Sequence, residues 1–152
     1  ARKEHKPKGS AIDMARAIVL AGPLGWHHAH AGNVAARPAL FGDVVLARKE
    51  VPASYHLAVT VDDAAQGISD VVRGEDLCPA THVHRLLQAL LGLPVPRYHH
   101  HPLLTDAAGR RLAKRDRAQT LAQMHADGAD PAALLAALRR GEMPVGAHRE
   151  KA

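Results

Sequence analysis

Arg73 and Tyr55 are residues whose types could take part in binding a negatively charged ligand. Arg73 follows the β-branched pair Val71-Val72 and precedes Gly74, and open α/β sheets bind ligands at such strand ends. A guanidinium can form two parallel hydrogen bonds with a carboxylate, and the phenol of Tyr55 can donate one more. Considered singly, a surface arginine and a core tyrosine are the commoner roles of these residue types.

A second candidate is the basic segment Arg110–Arg117 (RRLAKRDR). Such a segment can stabilise the charge of bound phosphates, and by itself it is more often a solvated turn. The sequence contains no P-loop, no G-x-G-x-x-G, no G-x-S-x-G and no H-E-x-x-H motif. The basic segment therefore has no other phosphate-binding signature beside it.

Histidines are numerous, with twelve in the sequence. Most of them fall into three groups, which are His27, His28 and His30; His82 and His84; and His99 to His101. Cys78 is the only cysteine, and no recognisable frame of zinc ligands accompanies the histidines. A zinc site is the alternative, but the prediction is that the chain holds no metal.

The composition of the 152-residue chain suits one domain with an ordinary core. The net charge of +5 permits an RNA partner without requiring one. A single cysteine excludes an internal disulfide and suits the reducing cytoplasm. Apolar runs stay well short of the ~20 residues of a membrane span, so we expect no membrane partner.

The order of the predicted elements is typical of an α/β layer fold. Strands are predicted over 42–48, 68–72 and 98–104, a helix over 76–91, and short helices over 120–126 and 131–140. Thr81 is the predicted N-cap of the long helix, and Gly92 is predicted to end it. The segments 12–20 and 55–65 fit either a helix or a strand.

Five segments occur in a characteristic order. They are SYHLAVTVDDAAQGI (54–68), VVRGEDL (71–77), LPVPRY (93–98), PLL (102–104) and DAAGRRLAKRD (106–116). This ordered set resembles the second half of the catalytic domain of glutamyl-tRNA synthetases, a class I aminoacyl-tRNA synthetase family. The resemblance extends over about 13–140, is most specific over 42–116, and is strongest to the short glutamyl-Q tRNA(Asp) synthetases of this family.

The resemblance implies part of a Rossmann-type α/β catalytic domain followed by short C-terminal helices. It also implies ATP-dependent activation of glutamate as an adenylate, followed by transfer to tRNA. In the short members the acceptor is the queuosine base of tRNA(Asp). The implied partners are therefore glutamate, ATP with its Mg²⁺, and tRNA(Asp).

The resemblance also assigns roles to residues. Tyr55 and Arg73 match the family's glutamate-binding pair. The family's mobile K-M-S-K-S-type ATP-binding loop is matched by Arg111, Leu112, Ala113, Lys114 and Arg115. Lys114 would take the catalytic, ATP-contacting role, while Arg111 stands in place of a lysine and Ala113 in place of a serine. The zinc-type site of some members lies upstream of the region matched here.

Nothing in residues 1–43 resembles the H-I-G-H-type motif with which class I synthetases begin. We therefore expect a partial catalytic domain that lacks its N-terminal half and is inactive alone. The expected divisions are a basic tail or linker (1–10), the half-domain (11–117), a short helical segment (118–141) and a disordered tail (142–152). Two alternatives remain, a piece of an ordinary glutamyl-tRNA synthetase and a non-catalytic RNA-binding or accessory module.

Overall fold

The structure is a computed structural model that describes residues 9–105, 108, 110–112, 120–142 and 148–149. The chain divides into two compact units, residues 1–100 and residues 101–152. The first unit combines helices with a mixed sheet, which confirms the predicted α/β class. In the described part of the chain, no helix has the length and apolar character needed to cross a membrane.

The first unit contains the elements that position Arg73. In chain order they are β1 (Gly9–Ile12), α1 (Met14–Ala21), β2 (Gly25–His28), β3 (Gly32–Ala35), β4 (Val44–Arg48), α2 (Tyr55–Ala65), β5 (Asp70–Gly74), α3 (Ala80–Leu91) and β6 (Arg97–His101). Short 3₁₀ turns occupy Pro38–Phe41 and Glu75–Leu77.

The larger sheet has the strand order β3-β2-β6-β5. Strand β2 runs antiparallel to β3 and parallel to β6, with His28 opposite Tyr98. Strands β1 and β4 form a separate antiparallel pair. Helix α3 connects the neighbouring strands β5 and β6.

The two segments whose periodicity was ambiguous are both helical, and each begins at a side-chain cap. Asp13 accepts a hydrogen bond from the backbone N–H of Arg16 at 3.0 Å and begins α1. Ser54 accepts one from the backbone N–H of Leu57 at 3.3 Å and begins α2. Such a cap satisfies one of the otherwise unpaired N–H groups of the first turn and stabilises the start of the helix.

The long helix differs from its prediction at one end. The residues before it form the 3₁₀ turn, and α3 begins at Ala80, with Pro79 as the N-cap residue and no side-chain cap bond. The prediction that Thr81 caps the helix is therefore wrong, because its hydroxyl is buried and accepts a hydrogen bond from Arg73. Gly92 ends the helix as predicted, in the left-handed conformation (φ 64°, ψ 30°) that glycine tolerates without a Cβ clash.

The core of this unit forms where α3 packs against α1. Leu86 is fully buried and joins Met14 and Ala17 in one cluster. Partly buried apolar residues surround this cluster, namely Ile12, Ile18, Ala21, Leu24 and Val44. Burial of the apolar stripe of α3 thus fixes the rotation of the helix and, with it, the direction of its polar side chains.

The second unit contains β7 (Leu104–Thr105), α4 (Leu121–Ala126), α5 (Pro131–Arg139) and β8 (His148–Arg149), with β7 antiparallel to β8. Thr120 and Asp130 cap the two helices through their side chains, and both predicted short helices are confirmed. The strand β8 lies within 142–152, the segment predicted to be a disordered tail. The proposed domain limits stay a prediction.

Leu86→Ala should lower the free energy of unfolding by about 2–5 kcal/mol, since it removes buried methyl groups and leaves a cavity. Leu20→Ala is the matched control, because Leu20 lies on α1 and is 71% exposed. Denaturant unfolding of both variants measures the difference. Equal losses in the two variants would show that the α1–α3 core is not formed as described.

Candidate functional site

Arg73 lies in β5, and its half-buried guanidinium donates to three side chains. Its Nε donates to His100 Nε2 at 3.2 Å, one terminal nitrogen donates to His84 Nδ1 at 3.3 Å, and the other donates to the Thr81 hydroxyl at 2.6 Å. Thr81 and His84 lie three residues apart on the buried face of α3, and His100 lies on β6. All three acceptors are uncharged. Thr81 offers a neutral hydroxyl, and each histidine accepts through a ring nitrogen that carries no proton, so neither ring is in its doubly protonated, charged form.

The positive charge of Arg73 has no carboxylate partner at ion-pair distance among the described residues. The charge of Arg73 acts on the half-buried carboxyl of Asp63. Burial raises the pKa of this carboxyl, and the positive charge of Arg73 opposes that rise. An arginine has five N–H donors, of which three are used by the acceptors above, so two remain. The arrangement can therefore bind an anion through both charge and hydrogen bonds.

His84 and His56 form a hydrogen-bonded pair beside Arg73. His56 Nδ1 lies 3.0 Å from His84 Nε2, and His84 is only 2% exposed. Burial, followed by the charges of Arg73 and His56, lowers the pKa of His84 to about 3. Burial and Arg73 also lower the pKa of His56, so both imidazoles are neutral near pH 7.

Tyr55 is the first residue of α2, and its ring is half exposed. The ring meets His84 edge-on with 5.8 Å between centroids, and it meets His56 in the same way at 5.6 Å. Arg73 also lies over the ring of Tyr98, 5.3 Å from its centroid, which is a cation–π arrangement. The structure therefore brings Tyr55 and Arg73, which the family resemblance pairs, into contact with the same histidine.

The loop of Arg111 to Arg115 belongs to the second unit, and the structure describes Arg111 and Leu112 of it. The backbone N–H of Leu112 donates to the carbonyl of Leu104 at 2.9 Å, and Arg111 forms a bridge with Thr105. Ala113, Lys114 and Arg115 lie outside the described residues. The roles assigned to this loop stay predictions.

Sequence reasoning did not assign Thr81, His84, His56 and His100 to the site. Periodicity gives no signal for the first two, because Thr81 and His84 lie outside the apolar stripe of Val83, Leu86, Leu87, Leu90 and Leu91 in the predicted helix. Nothing in the spacing of His56 or His100 shows that His100 meets the guanidinium of Arg73 or that His56 meets His84 beside it.

His28, Cys78 and His100 form a possible metal-binding cluster, since one potential ligand atom from each lies within 4.8 Å of the others. Two imidazoles and a thiolate would suit Zn²⁺. However, His28 Nδ1 accepts hydrogen bonds from the backbone N–H groups of His30 and Ala31, and His100 Nε2 accepts from Arg73. Each neutral ring then has its proton on the other nitrogen, so metal binding requires these bonds to rearrange. The prediction of no metal stays a prediction.

The sequence over residues 3–151 matches the family described as the catalytic domain of class I tRNA synthetases (E and Q). The chain belongs to this family, and the predicted resemblance is confirmed.

Curated relatives of this chain are glutamyl-Q tRNA(Asp) synthetases. A glutamyl-Q tRNA(Asp) synthetase of Rhodobacter capsulatus is 64% identical over 91 residues, which are 60% of this chain and 33% of the relative. One from Pseudomonas syringae pv. tomato is 46% identical over 124 residues, which are 82% of this chain and 39% of the relative. The chain thus spans about a third of the length of these relatives.

Among solved structures, a glutamate tRNA ligase of Elizabethkingia meningosepticum, in complex with its amino acid, superposes with a TM-score of 0.53 and 27% identity over 62% of this chain and 19% of that chain. A glutamate-tRNA synthetase of Elizabethkingia anophelis gives a TM-score of 0.54 and 26% identity over 73% and 23% of the two chains. These likenesses confirm the predicted synthetase-type α/β fold.

The low pKa of His84 predicts a dependence of stability on pH. His84 binds a proton in the unfolded chain near its ordinary pKa of 6.5, and in the folded chain only near pH 3. The unfolded state therefore binds more protons as the pH falls between these values, and the free energy of unfolding falls by up to about 1.4 kcal/mol per pH unit for this one group. The lowered pKa values of His28, His56 and His82 act in the same direction.

His84→Gln should make the free energy of unfolding depend less steeply on pH between pH 6 and pH 4, because the variant lacks the proton that the unfolded wild-type chain takes up at His84. Denaturant unfolding at several pH values measures this slope. Wild-type and variant slopes that coincide would show that His84 titrates normally in the folded chain.

Proposed function

We propose that this chain supplies the glutamate-recognition half of a glutamate-activating class I synthetase. The enzyme would form glutamyl adenylate from glutamate and ATP and transfer the glutamyl group to the queuosine base of tRNA(Asp). The observation that carries the proposal is the Arg73 guanidinium, which is half-buried, is held by uncharged acceptors and keeps two N–H donors. Family membership and the names of the curated relatives support the reaction type.

Recognition of glutamate would depend on Arg73 and Tyr55. One N–H remains on each terminal nitrogen of Arg73 after the contacts with His84 and Thr81, and two such donors match the two oxygens of a carboxylate. The ring of Tyr55 contacts His84, and its phenol would donate a further hydrogen bond. Glutamine would be a poor substrate at such a site because a neutral amide does not compensate the buried charge.

ATP would bind with its Mg²⁺ at the loop of Arg111 to Arg115. As the α-phosphate bond breaks, negative charge grows on the departing pyrophosphate. The ammonium of Lys114 would stabilise this charge more strongly in the transition state than in the bound substrate. Arg111 would keep the positive charge of the lysine it replaces, whereas Ala113 supplies no hydroxyl donor.

The choice between tRNA(Asp) and tRNA(Glu) defines the second candidate, an ordinary glutamyl-tRNA synthetase. The solved structures that the chain resembles belong to glutamate-specific synthetases, while the curated relatives bear the glutamyl-Q name at 46–64% identity. The higher identities favour tRNA(Asp).

A hybrid enzyme tests the proposal. The segment of the Pseudomonas syringae relative that aligns with 124 residues of this chain is replaced by the corresponding residues of this chain. The hybrid should support glutamate-dependent ATP–pyrophosphate exchange and glutamylate queuosine-containing tRNA(Asp). Glutamylation of tRNA(Glu) instead would favour the second candidate, and a folded hybrid with no exchange would refute glutamate activation.

Arg73→Ala in the hybrid should raise the glutamate KM by about 10–100-fold, because a hydrogen-bonded charge pair contributes roughly 1.5–3 kcal/mol to binding. Tyr55→Phe removes one neutral donor and should raise it only about fivefold. Steady-state exchange kinetics measure both, with melting curves to show that the variants are folded. A glutamate KM for Arg73→Ala equal to that of the parent would exclude this recognition mode.

Lys114→Ala should lower kcat for adenylate formation by about 10²-fold with little change in the glutamate KM, since its contribution is made mainly in the transition state. Arg117→Ala is the matched control, because it removes one positive charge from the same basic segment outside the loop of Arg111 to Arg115, and its effect should be much smaller. Equally small effects of the two substitutions would indicate a solvated basic turn.

A further inference from the structure

We infer that His84 is a positioning residue for the Arg73 guanidinium, and that His56 determines which nitrogen of His84 carries the ring proton. This inference rests on the proposed function of Arg73, although its structural part is tested separately below. The residues involved lie on three different elements, since Arg73 is on β5, His84 on α3 and His56 on α2.

The direction of each hydrogen bond follows from the chemistry of arginine. Arg73 can only donate, so His84 Nδ1, at 3.3 Å, must accept. A neutral imidazole has one ring proton, which for His84 must therefore be on Nε2. That nitrogen lies 3.0 Å from His56 Nδ1, so His56 accepts in turn and carries its own proton on Nε2.

Burial destabilises the other tautomer of His84, in which the ring proton is on Nδ1. His84 is 2% exposed, so a proton on its Nδ1 would face the donor of Arg73 without water to separate them. Both groups would then lose a hydrogen bond where little water can replace it, and an unsatisfied buried polar group is destabilising. The acceptor nitrogen of His56 stabilises the proton on Nε2 and thereby the tautomer that Arg73 needs.

The consequence is a fixed orientation of the guanidinium. Thr81 and His84 hold the two terminal nitrogens of Arg73, and both are on α3, whose rotation is set by the core. A planar group held at both terminal nitrogens and at Nε has no freedom to turn about its long side chain. The two remaining donors are then presented to the ligand without the entropy cost of ordering them on binding.

Glutamine is an informative replacement at position 84. Its amide oxygen can accept from Arg73 and its amide nitrogen can donate to His56, whereas leucine can do neither. If His84 acts by hydrogen bonding, glutamine should rescue much of what leucine loses. If His84 acts only by filling space, leucine and glutamine should differ little in their effect on Arg73.

The first experiment is spectroscopic and uses the ¹⁵N-labelled 152-residue chain without substrate. Long-range ¹H–¹⁵N correlation spectra at pH 7 distinguish protonated from unprotonated imidazole nitrogens. We expect His84 and His56 both to carry the proton on Nε2, and the Arg73 Nε–H signal to move more in His84→Leu than in His84→Gln. A proton on Nδ1 of His84 would overturn the inference, whatever the function of the protein.

The second experiment measures the glutamate KM of the hybrid enzyme. His84→Leu should raise it on the order of tenfold with kcat within about threefold, and His84→Gln should raise it about threefold or less. His56→Leu, at a half-buried position less critical to packing, should raise it between these limits. Melting curves show whether each variant is folded. If His84→Leu does not fold, the glutamate KM of His56→Leu and the spectra of the wild-type chain decide whether His84 positions Arg73.

The two hypotheses fail in different ways. If Arg73→Ala raises the glutamate KM and neither His84→Leu nor His56→Leu does, the positioning role is wrong and the proposed function stands. If the hybrid does not activate glutamate at all, the proposed function is wrong and the spectra still determine whether His84 orients Arg73.

Discussion

The half-buried charge of Arg73 is the constraint on which the site depends. Its acceptors are all uncharged, so the guanidinium is held in place without being neutralised by the described residues. A carboxylate partner within the protein would hold the side chain more strongly, but it would compete with an anionic ligand for the same donors. Neutral acceptors instead combine fixed geometry with an uncompensated charge, which is what selective recognition of a carboxylate requires.

The hydrophobic core and this polar site are connected through α3. One part of its buried face packs Leu86 against α1, and another presents Thr81 and His84 to Arg73. Rotation or slippage of the helix would therefore cost apolar burial and separate the acceptors from the guanidinium together. Because the core resists such movements, the hydrogen-bond geometry around Arg73 is supported by packing energy as well as by the bonds themselves.

Histidine suits the two positions next to Arg73 because a neutral imidazole both accepts and donates. At His84 this allows one ring to accept from Arg73 and to donate to His56 across the helix pair. Its low pKa is a consequence of the same burial and of the neighbouring positive charge. The ring is thus kept in the only protonation state that can accept from an arginine, at the cost of stability in acid.

The sequence by itself determined the α/β class, the short C-terminal helices, the end of α3 at Gly92 and the family resemblance. These depend on local patterns, such as side-chain periodicity, capping residues and ordered motifs, that a linear chain displays directly. The tertiary structure alone decided that α1 and α2 are helices and that Thr81 binds Arg73 instead of capping α3. It also decided that His84 and His100 accept from the guanidinium while His56 pairs with His84. Those contacts join residues up to 28 positions apart, and they exist only because the packing of α2, α3 and the sheet brings these side chains together.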